Sequence, residues 1–209
     1  MWLPTRLTTS NKSFYEKIDF FTMKRINDIF YSLQGEGRNT GRAAIFIRFT
    51  GCNLHCSFCD TQFNDYREMT DEQILNEIAQ YPSRFVVLTG GEPTLQVDEP
   101  FLQLLHAHGY EIAMESNGTK QPPKGIDWLT CSPKGKVAIS HCNELKCIFD
   151  GDASHITTYG IEAEYYYLQP CDVGDAQRNA HITAACIAYI EQHPEWRLSL
   201  QTHKLIGFK

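Results

Sequence analysis

Three cysteines stand at the spacing C-x3-C-x2-C within eleven residues, Gly51-Cys52-Asn53-Leu54-His55-Cys56-Ser57-Phe58-Cys59-Asp60-Thr61. They follow directly on an apolar run, Ala43–Phe49, so the sulfurs sit on a loop that leaves the end of a strand. Thiolates are the usual protein ligands of iron–sulfur clusters, and a loop this short can give one sulfur to each of three irons of a cube. The fourth iron then lacks a protein ligand, and an open coordination position is what catalysis requires. Zinc is the competing occupant. A zinc knot wants a fourth Cys or His at short spacing, and His55, wedged between two of the cysteines, is poorly placed to close a tetrahedron with all three. The odd number of cysteines disfavours a disulfide.

The rest of the composition narrows the class. At 209 residues the chain has room for one full core and not for two comfortable ones. Its formal net charge is −6 and no run of Lys or Arg exceeds two residues, so a basic face for nucleic acid is not expected. Eight cysteines could signal a secreted disulfide framework, but their spacing is irregular outside the loop and no secretory signal precedes them. The cytoplasm is therefore the expected location, and no apolar stretch is long enough for a membrane span. Residues 1–22 mix polar residues with a short apolar cluster at 18–21 and read as an extension outside the fold. Residues 23–209 are expected to form a single domain.

Strand and helix patterns alternate along that domain. Residues 26–33 read as a first strand ending in the turn Gln34-Gly35-Glu36-Gly37, where glycines let backbone amides approach a ligand. Residues 43–49 are nearly all apolar, the pattern of a parallel strand covered on both faces, yet Arg48 lies inside the run. A guanidinium there needs an anion, which is either Glu36 or Glu115 of the chain itself or the carboxylate of a substrate. Thr70-Asp71-Glu72-Gln73 is a capping box for a helix with Ile74, Leu75, Ile78 and Tyr81 on its apolar face and Pro82 beyond. A buried strand over 85–88 runs into Thr89-Gly90-Gly91-Glu92-Pro93, and a second helix carrying Phe101, Leu104, Leu105 and His108 ends at Gly109. The strand 110–114 leads into Glu115-Ser116-Asn117-Gly118.

From 119 to 137 no helical period occurs, so the alternation loses a helix there. A short strand over 128–131 precedes Ser132-Pro133-Lys134; further strands are expected at 144–149 and at 165–168, the latter followed by Gln169-Pro170-Cys171-Asp172. A third helix over 176–192 then precedes a last strand over 196–205, with an apolar ending (Leu205, Ile206, Phe208) that suggests a packed terminus. Cys131, Cys147 and Cys186 read as core residues, while Cys142 and Cys171 stay undecided. Motifs after successive strands imply a parallel sheet with ligands at its C-terminal edge. The expected architecture is α/β, a partial (open) parallel β/α barrel of about six strands with only three good helices.

The cysteine spacing, with an aromatic residue just before the third cysteine, resembles the signature of the radical S-adenosylmethionine (SAM) enzymes. Together with Ser32-Leu33-Gln34-Gly35-Glu36-Gly37, Cys59-Asp60-Thr61 and Thr89-Gly90-Gly91-Glu92-Pro93, it resembles the 7-carboxy-7-deazaguanine synthase family within them. The likeness runs from about Met23 to the end of the chain. It implies a 4Fe–4S cluster on Cys52, Cys56 and Cys59, SAM chelated at the open iron, and Mg²⁺ on the Thr61 hydroxyl. By the same resemblance Phe58, Asp60, Gly91, Glu92, Ser132, Pro133, Lys134, Gln169, Pro170, Cys171 and Asp172 would contact SAM. Leu33, Gln34, Gly35, Glu36, Arg48, Thr89 and Lys209 would hold the substrate, 6-carboxy-5,6,7,8-tetrahydropterin, with the Lys209 carboxylate closing the site. The pterin ring contracts with loss of ammonia, on the route to queuosine, and no side chain is assigned a catalytic role because the radical forms on SAM. An electron donor such as flavodoxin and a homodimer are the implied partners, with neither nucleic acid nor membrane among them. A glycyl-radical-enzyme activase shares the cysteine spacing but would lack the Gln34–Gly37 and Arg48 pattern. A non-catalytic iron–sulfur or zinc module would need four ligands.

Overall fold

Side chains alternate across a strand, so a sheet with a helix layer on one face must be apolar at every second residue. In the computed structural model, which describes residues 23–56, 59 and 65–209, the alternate residues Ile45, Ile47 and Phe49 of β2 (Ala43–Phe49) are wholly buried. They pack in one cluster with Val86 and Leu88 of β4 (Phe85–Gly90) and Ile112 and Met114 of β5 (Glu111–Ser116). Helix residues join the same cluster: Ile74 and Ile78 from α1 (Asp71–Ile78), Phe101, Leu102 and Leu105 from α2 (Glu99–Ala107), and, toward the far end of the sheet, Ile182 and Cys186 from α3 (Ala176–Gln192). The intervening residues Phe46, Val87 and Ala113 form a second cluster on the opposite face, with Phe30 stacked on Phe46 at 4.9 Å. One step further along the same strands that face turns polar, at Arg48, Thr89 and Glu115. Apolar floor and polar rim thus come from the same period of two.

The described residues form one nine-stranded sheet in the order β3-β1-β2-β4-β5-β6-β7-β8-β9. Seven of these strands run parallel: β2, β4, β5, β6 (Trp128–Cys131), β7 (His141–Phe149), β8 (Glu162–Pro170) and β9 (Trp196–Leu198). The sheet does not close, which agrees with an open barrel. Three corrections to the expected architecture have clear causes. First, β1 (Lys24–Leu33) pairs antiparallel with β2. The connection is too short for a parallel crossover and folds back on itself, Gln34 N–H donating to Arg42 O and Gly41 N–H to Gln34 O, both at 2.8 Å. Second, a three-residue strand, β3 (Arg67–Met69), adds antiparallel to β1, and it is too short to show a period. Third, residues 196–205 are not one strand: β9 stops at Leu198 and a short helix, α4 (Thr202–Ile206), follows. Leu205 and Ile206 are 66% and 73% exposed, so the apolar ending is not a packed one, although Phe208 is partly buried edge-on against His203.

The helix boundaries follow local chemistry. Thr70 and Gln73 cap α1 reciprocally, the threonine hydroxyl accepting from Gln73 N–H and the glutamine amide from Thr70 N–H. Asp98 and Asp175 cap α2 and α3 in the simpler way. Lys24, 1% exposed, ties α1 and α2 to the edge of the sheet through Asp71 (2.5 Å) and Asp98 (3.6 Å). Successive strands from β5 to β8 are joined without an α-helix, which is the loss the sequence between 119 and 137 foreshadows. Among the described residues no helix is long and apolar enough to cross a membrane.

Candidate functional site

The C-terminal ends of the parallel strands converge on one cavity. Cys52, Cys56 and Cys59 line it from the loop after β2, Gly90 and Gly91 from the end of β4, and Ser116 and Asn117 from β5 and its end. Ser132 and Lys134 follow β6, and Gln169, Pro170, Cys171 and Asp172 form the end of β8 and the turn beyond it. Five strand ends separated by up to 120 residues therefore meet where the motifs had placed them. Phe58, Asp60 and Thr61 lie outside the described residues.

The loop after β2 is held by backbone zippering. Gly91 N–H donates to Phe49 O and Glu92 N–H to Gly51 O, each at 2.9 Å. This close approach depends on Gly90, whose φ is +118° and whose missing Cβ would sit 2.2 Å from Phe49 O and 2.6 Å from Phe49 N. Backbone atoms cannot step aside, so Gly90→Ala is expected to lower stability by at least about 2 kcal/mol, read as a shift in the denaturant midpoint. An unchanged midpoint would refute the close-approach account.

Glu92 is not part of the cavity wall. It is wholly buried, and its carboxylate accepts from Thr94 N–H (3.1 Å), Thr94 Oγ1 (2.7 Å), Ser116 Oγ (2.8 Å) and Asn117 N–H (2.7 Å). Its work is to clamp the loop after β4 to the loop after β5. Asn117 passes that order on, its Nδ2 donating to Asn53 Oδ1 at 3.0 Å and lying 3.9 Å from Cys52 Sγ. Pro133 likewise is buried behind the wall and does not line the cavity.

The cysteines suit a cluster. Leu54 N–H donates to Cys52 Sγ at 3.4 Å, the kind of hydrogen bond that cluster sulfurs accept. Among the described residues no three His, Cys, Asp or Glu side chains gather round one point to hold a single ion. A cube does not ask for that, because each thiolate takes a different iron. Cys171 is the fourth cysteine on this wall, but burial pushes its thiol up, which opposes thiolate ligation. Burial also pushes Cys131 and Cys147 up to about 12 and Cys186 to about 11, in keeping with core thiols; Cys142, half-buried, is pushed to about 11. Lys134 donates to Ser132 O (2.8 Å) and Oγ (2.5 Å), and burial, then the Lys146 charge, holds its ammonium below the usual lysine range. Asp172 is held down to about 2, first by Gly174 N–H and then by Lys204 and Asn179.

A second cavity adjoins the first. Leu33, Gln34, Gly35, Glu36, Arg48, Thr89 and Lys209 all line it, with Phe30 and Phe46 among the apolar residues of its wall. Glu36, Thr89, Gly90, Glu115 and Gln201 line both cavities and so form the partition between them. Neither carboxylate weighed as an internal partner of Arg48 pairs with it. Glu36 is bonded to Lys146 and accepts from Gln201 Nε2 at 3.0 Å. Glu115 accepts from Gln34 Nε2 and Thr89 Oγ1, both at 3.0 Å. Arg48 makes no ion pair among the described residues; its guanidinium lies 5.6 Å from the centre of the Phe30 ring. Lys209 is anchored through Asp28 at 2.6 Å, and its main-chain oxygen accepts from Ser32 Oγ. Sequence reasoning missed Lys146, Gln201 and His203, and it offered Glu115 as a strand end and a possible partner of Arg48, not as a residue of the site. A glutamate at the C-terminal tip of a parallel strand was the available signal for Glu115. Gln201 and His203 were hidden because 196–205 reads as one strand.

Residues 46–129 match the model of the Radical SAM superfamily. The 7-carboxy-7-deazaguanine synthase of Bacteroides thetaiotaomicron is 48% identical over 190 residues, covering 90% of this chain and all of that protein. The synthase of Bordetella pertussis is 44% identical, covering 87% of this chain and 97% of that one. The crystal structure of QueE from Escherichia coli is similar with a TM-score of 0.69 and 27% identity, over 88% of this chain and 98% of that one. With likeness this high over nearly the full length of its relatives, the chain belongs to the 7-carboxy-7-deazaguanine synthase family of radical SAM enzymes.

Proposed function

We propose that the chain is a carbon–nitrogen lyase that converts 6-carboxy-5,6,7,8-tetrahydropterin to 7-carboxy-7-deazaguanine with loss of ammonia, for 7-deazapurine (queuosine) biosynthesis. The observation that carries it is the pair of cavities sharing one wall, one lined by three cysteines and the other by an arginine that makes no ion pair among the described residues. The cofactors are a 4Fe–4S cluster on Cys52, Cys56 and Cys59, SAM, and Mg²⁺ with Thr61 as its protein ligand. Bound there, the cluster would supply reducing power and SAM the radical chemistry of the reaction.

The chain's own residues bind, orient and exclude water. Arg48 offers two parallel donors to the substrate carboxylate, the match a guanidinium fork is suited to. Glu115 and Glu36, each already fixed by donors from the chain, present acceptors to the amino-pyrimidinone edge. Gly35 and Leu33 bring backbone alongside, Gln34 and Thr89 hold Glu115, and Lys209 closes the β1 side. Phe30 and Phe46 keep the floor dry, which protects a reactive carbon centre from quenching. On the other side of the partition Gly91, Ser132, Lys134 and the 169–172 turn take the polar groups of SAM; the family resemblance adds Phe58, against the adenine, and Asp60, both outside the described residues. Residues 23–209 form the catalytic domain. The reading extends to a cytoplasmic homodimer reduced by a flavodoxin-like donor, with no nucleic acid or membrane involved.

The test is anaerobic reconstitution with iron and sulfide, reduction, and incubation with SAM, Mg²⁺ and the carboxylated tetrahydropterin. 7-Carboxy-7-deazaguanine and ammonia are the expected products. SAM cleavage with the pterin returned unchanged would reject the synthase reading and favour an activase.

A further inference from the structure

Lys146, on β7, is the most enclosed cation of the site, 5% exposed, and its ammonium bonds Glu36. No sequence motif contains it. It lines the first cavity from β7, four strands from β2 in the sheet order, while Glu36 belongs to the turn after β1. The second Glu36 oxygen accepts from Gln201, just before α4. Lys146, Glu36 and Gln201 thereby form a strap that links the turn after β1, near one end of the strand order, to β7 and to the segment after β9 at the other end. Gly37 permits the approach: its φ is +65° and a Cβ there would lie 1.9 Å from Glu144 Oε1. Arg38 N–H then donates to Glu144 Oε2 at 2.8 Å, docking the same turn on β7 a second time.

We propose that Lys146 is a positioning residue that keeps Glu36 ionised and aimed at the partition, so that Glu36 serves only as an acceptor toward the pterin. The inference rests on the synthase reading and adds to it a residue outside every motif. Lys146 on β7 and His203 on α4 act directly on Glu36; Glu144 on β7 lies close to the same turn, and Glu115 on β5, Arg48 on β2, Lys134 after β6, Asp172 after β8 and Lys204 on α4 line the cavities that Glu36 divides. Burial works to raise the Glu36 carboxyl, and the Lys146 charge and hydrogen bond, with help from Gln201 and His203, outweigh it and hold Glu36 below the usual carboxylate range. Lys146 in turn is raised, because Glu36, Glu115 and Glu144 together outweigh its own burial. A carboxyl whose pKa is depressed in this way stays ionised through the neutral range and protonates only as the pH falls through its lowered value. With the ammonium gone, burial and the neighbouring carboxylates act alone and the Glu36 pKa moves up. Protonated Glu36 would then present a donor where the pterin also presents donors.

The experiment compares KM for the pterin across about pH 6 to 9, the interval into which buried glutamates are moved, in reconstituted wild type, Lys146→Met, Lys146→Arg and Lys146→Met/Glu36→Gln. Wild type and Lys146→Arg are expected to be flat. Lys146→Met is expected to show a KM that climbs toward low pH, by up to about tenfold for each unit below the raised pKa. The double variant is expected to have a high KM that no longer depends on pH, since Gln does not titrate. Cluster content and SAM cleavage without pterin report whether each variant is folded and loaded. Where Lys146→Met does not fold, Lys146→Gln removes the charge with a side chain that can still donate to Glu36, and carries the same expectation. A flat profile in the charge-removing variant, or a slope that survives Glu36→Gln, overturns the proposal. So does failure of both neutral variants to fold, which assigns Lys146 to stability alone. Wild-type turnover of the pterin is read separately, so failure of the synthase reading is distinguishable from failure of this one.

Discussion

Replacing any one of Cys52, Cys56 or Cys59 by Ala is expected to abolish SAM cleavage and pterin turnover together. A cube held by three thiolates has no spare protein ligand, and two leave it open to loss of iron. Among the described residues the neighbourhood supplies no substitute. His55 is exposed on the loop, and the buried Cys171 thiol is pushed up, away from the thiolate a metal needs. The measurement is iron and sulfide content with 5′-deoxyadenosine release after anaerobic reconstitution, with Cys171→Ala as the contrast. That contrast is expected to retain its full iron and sulfide. Full activity in any of the three loop variants would remove the cluster assignment, and a cluster lost in Cys171→Ala would move the ligand set.

Arg48→Met is the second large effect. Met keeps much of the aliphatic length over Phe30 and removes the fork, so the packing is largely kept while the carboxylate of the substrate enters without a counter-charge. Truncating one side of a desolvated charge pair typically costs about 2 to 5 kcal/mol. A value near the lower middle, about 3 kcal/mol, corresponds to a loss of about 10²-fold in kcat/KM. Arg48→Lys is expected to fall between, because a point charge cannot donate two parallel bonds to a planar carboxylate. SAM cleavage without pterin is expected to stay at the wild-type level, since Arg48 lines only the second cavity. A change in kcat/KM of less than about threefold (under 1 kcal/mol) would mean that Arg48 serves the fold.

The elements set by local chemistry were legible in advance. The capping box at Thr70 starts α1, and the long amphipathic run produces α3 with the bounds read from its period. Glycines at 90 and 91 and cysteines at 52, 56 and 59 declare themselves because backbone approach and metal ligation each admit few residue types. Arg48 was conspicuous for a similar reason: a charge in an apolar strand has to be accounted for. Whether its anion is internal depends on where Glu36 and Glu115 are spent, and their partners lie 110 and 81 residues away, in Lys146 and Gln34. The same holds for Glu92, which the motif assigns to the ligand and the folded chain uses to join two loops.

The direction of β1, the ending of β9 and the strap through Lys146 were likewise decided by tertiary structure. A period of two says which residues share a face, but it does not say whether that face meets a helix layer, a cavity or water. Residue type and spacing therefore determined the cofactor chemistry and most of the strands and helices. Pairing of buried charges is a long-range property: the low-dielectric interior makes each partner's identity matter, and only the folded sheet brings β1, β5, β7 and α4 close enough to choose them.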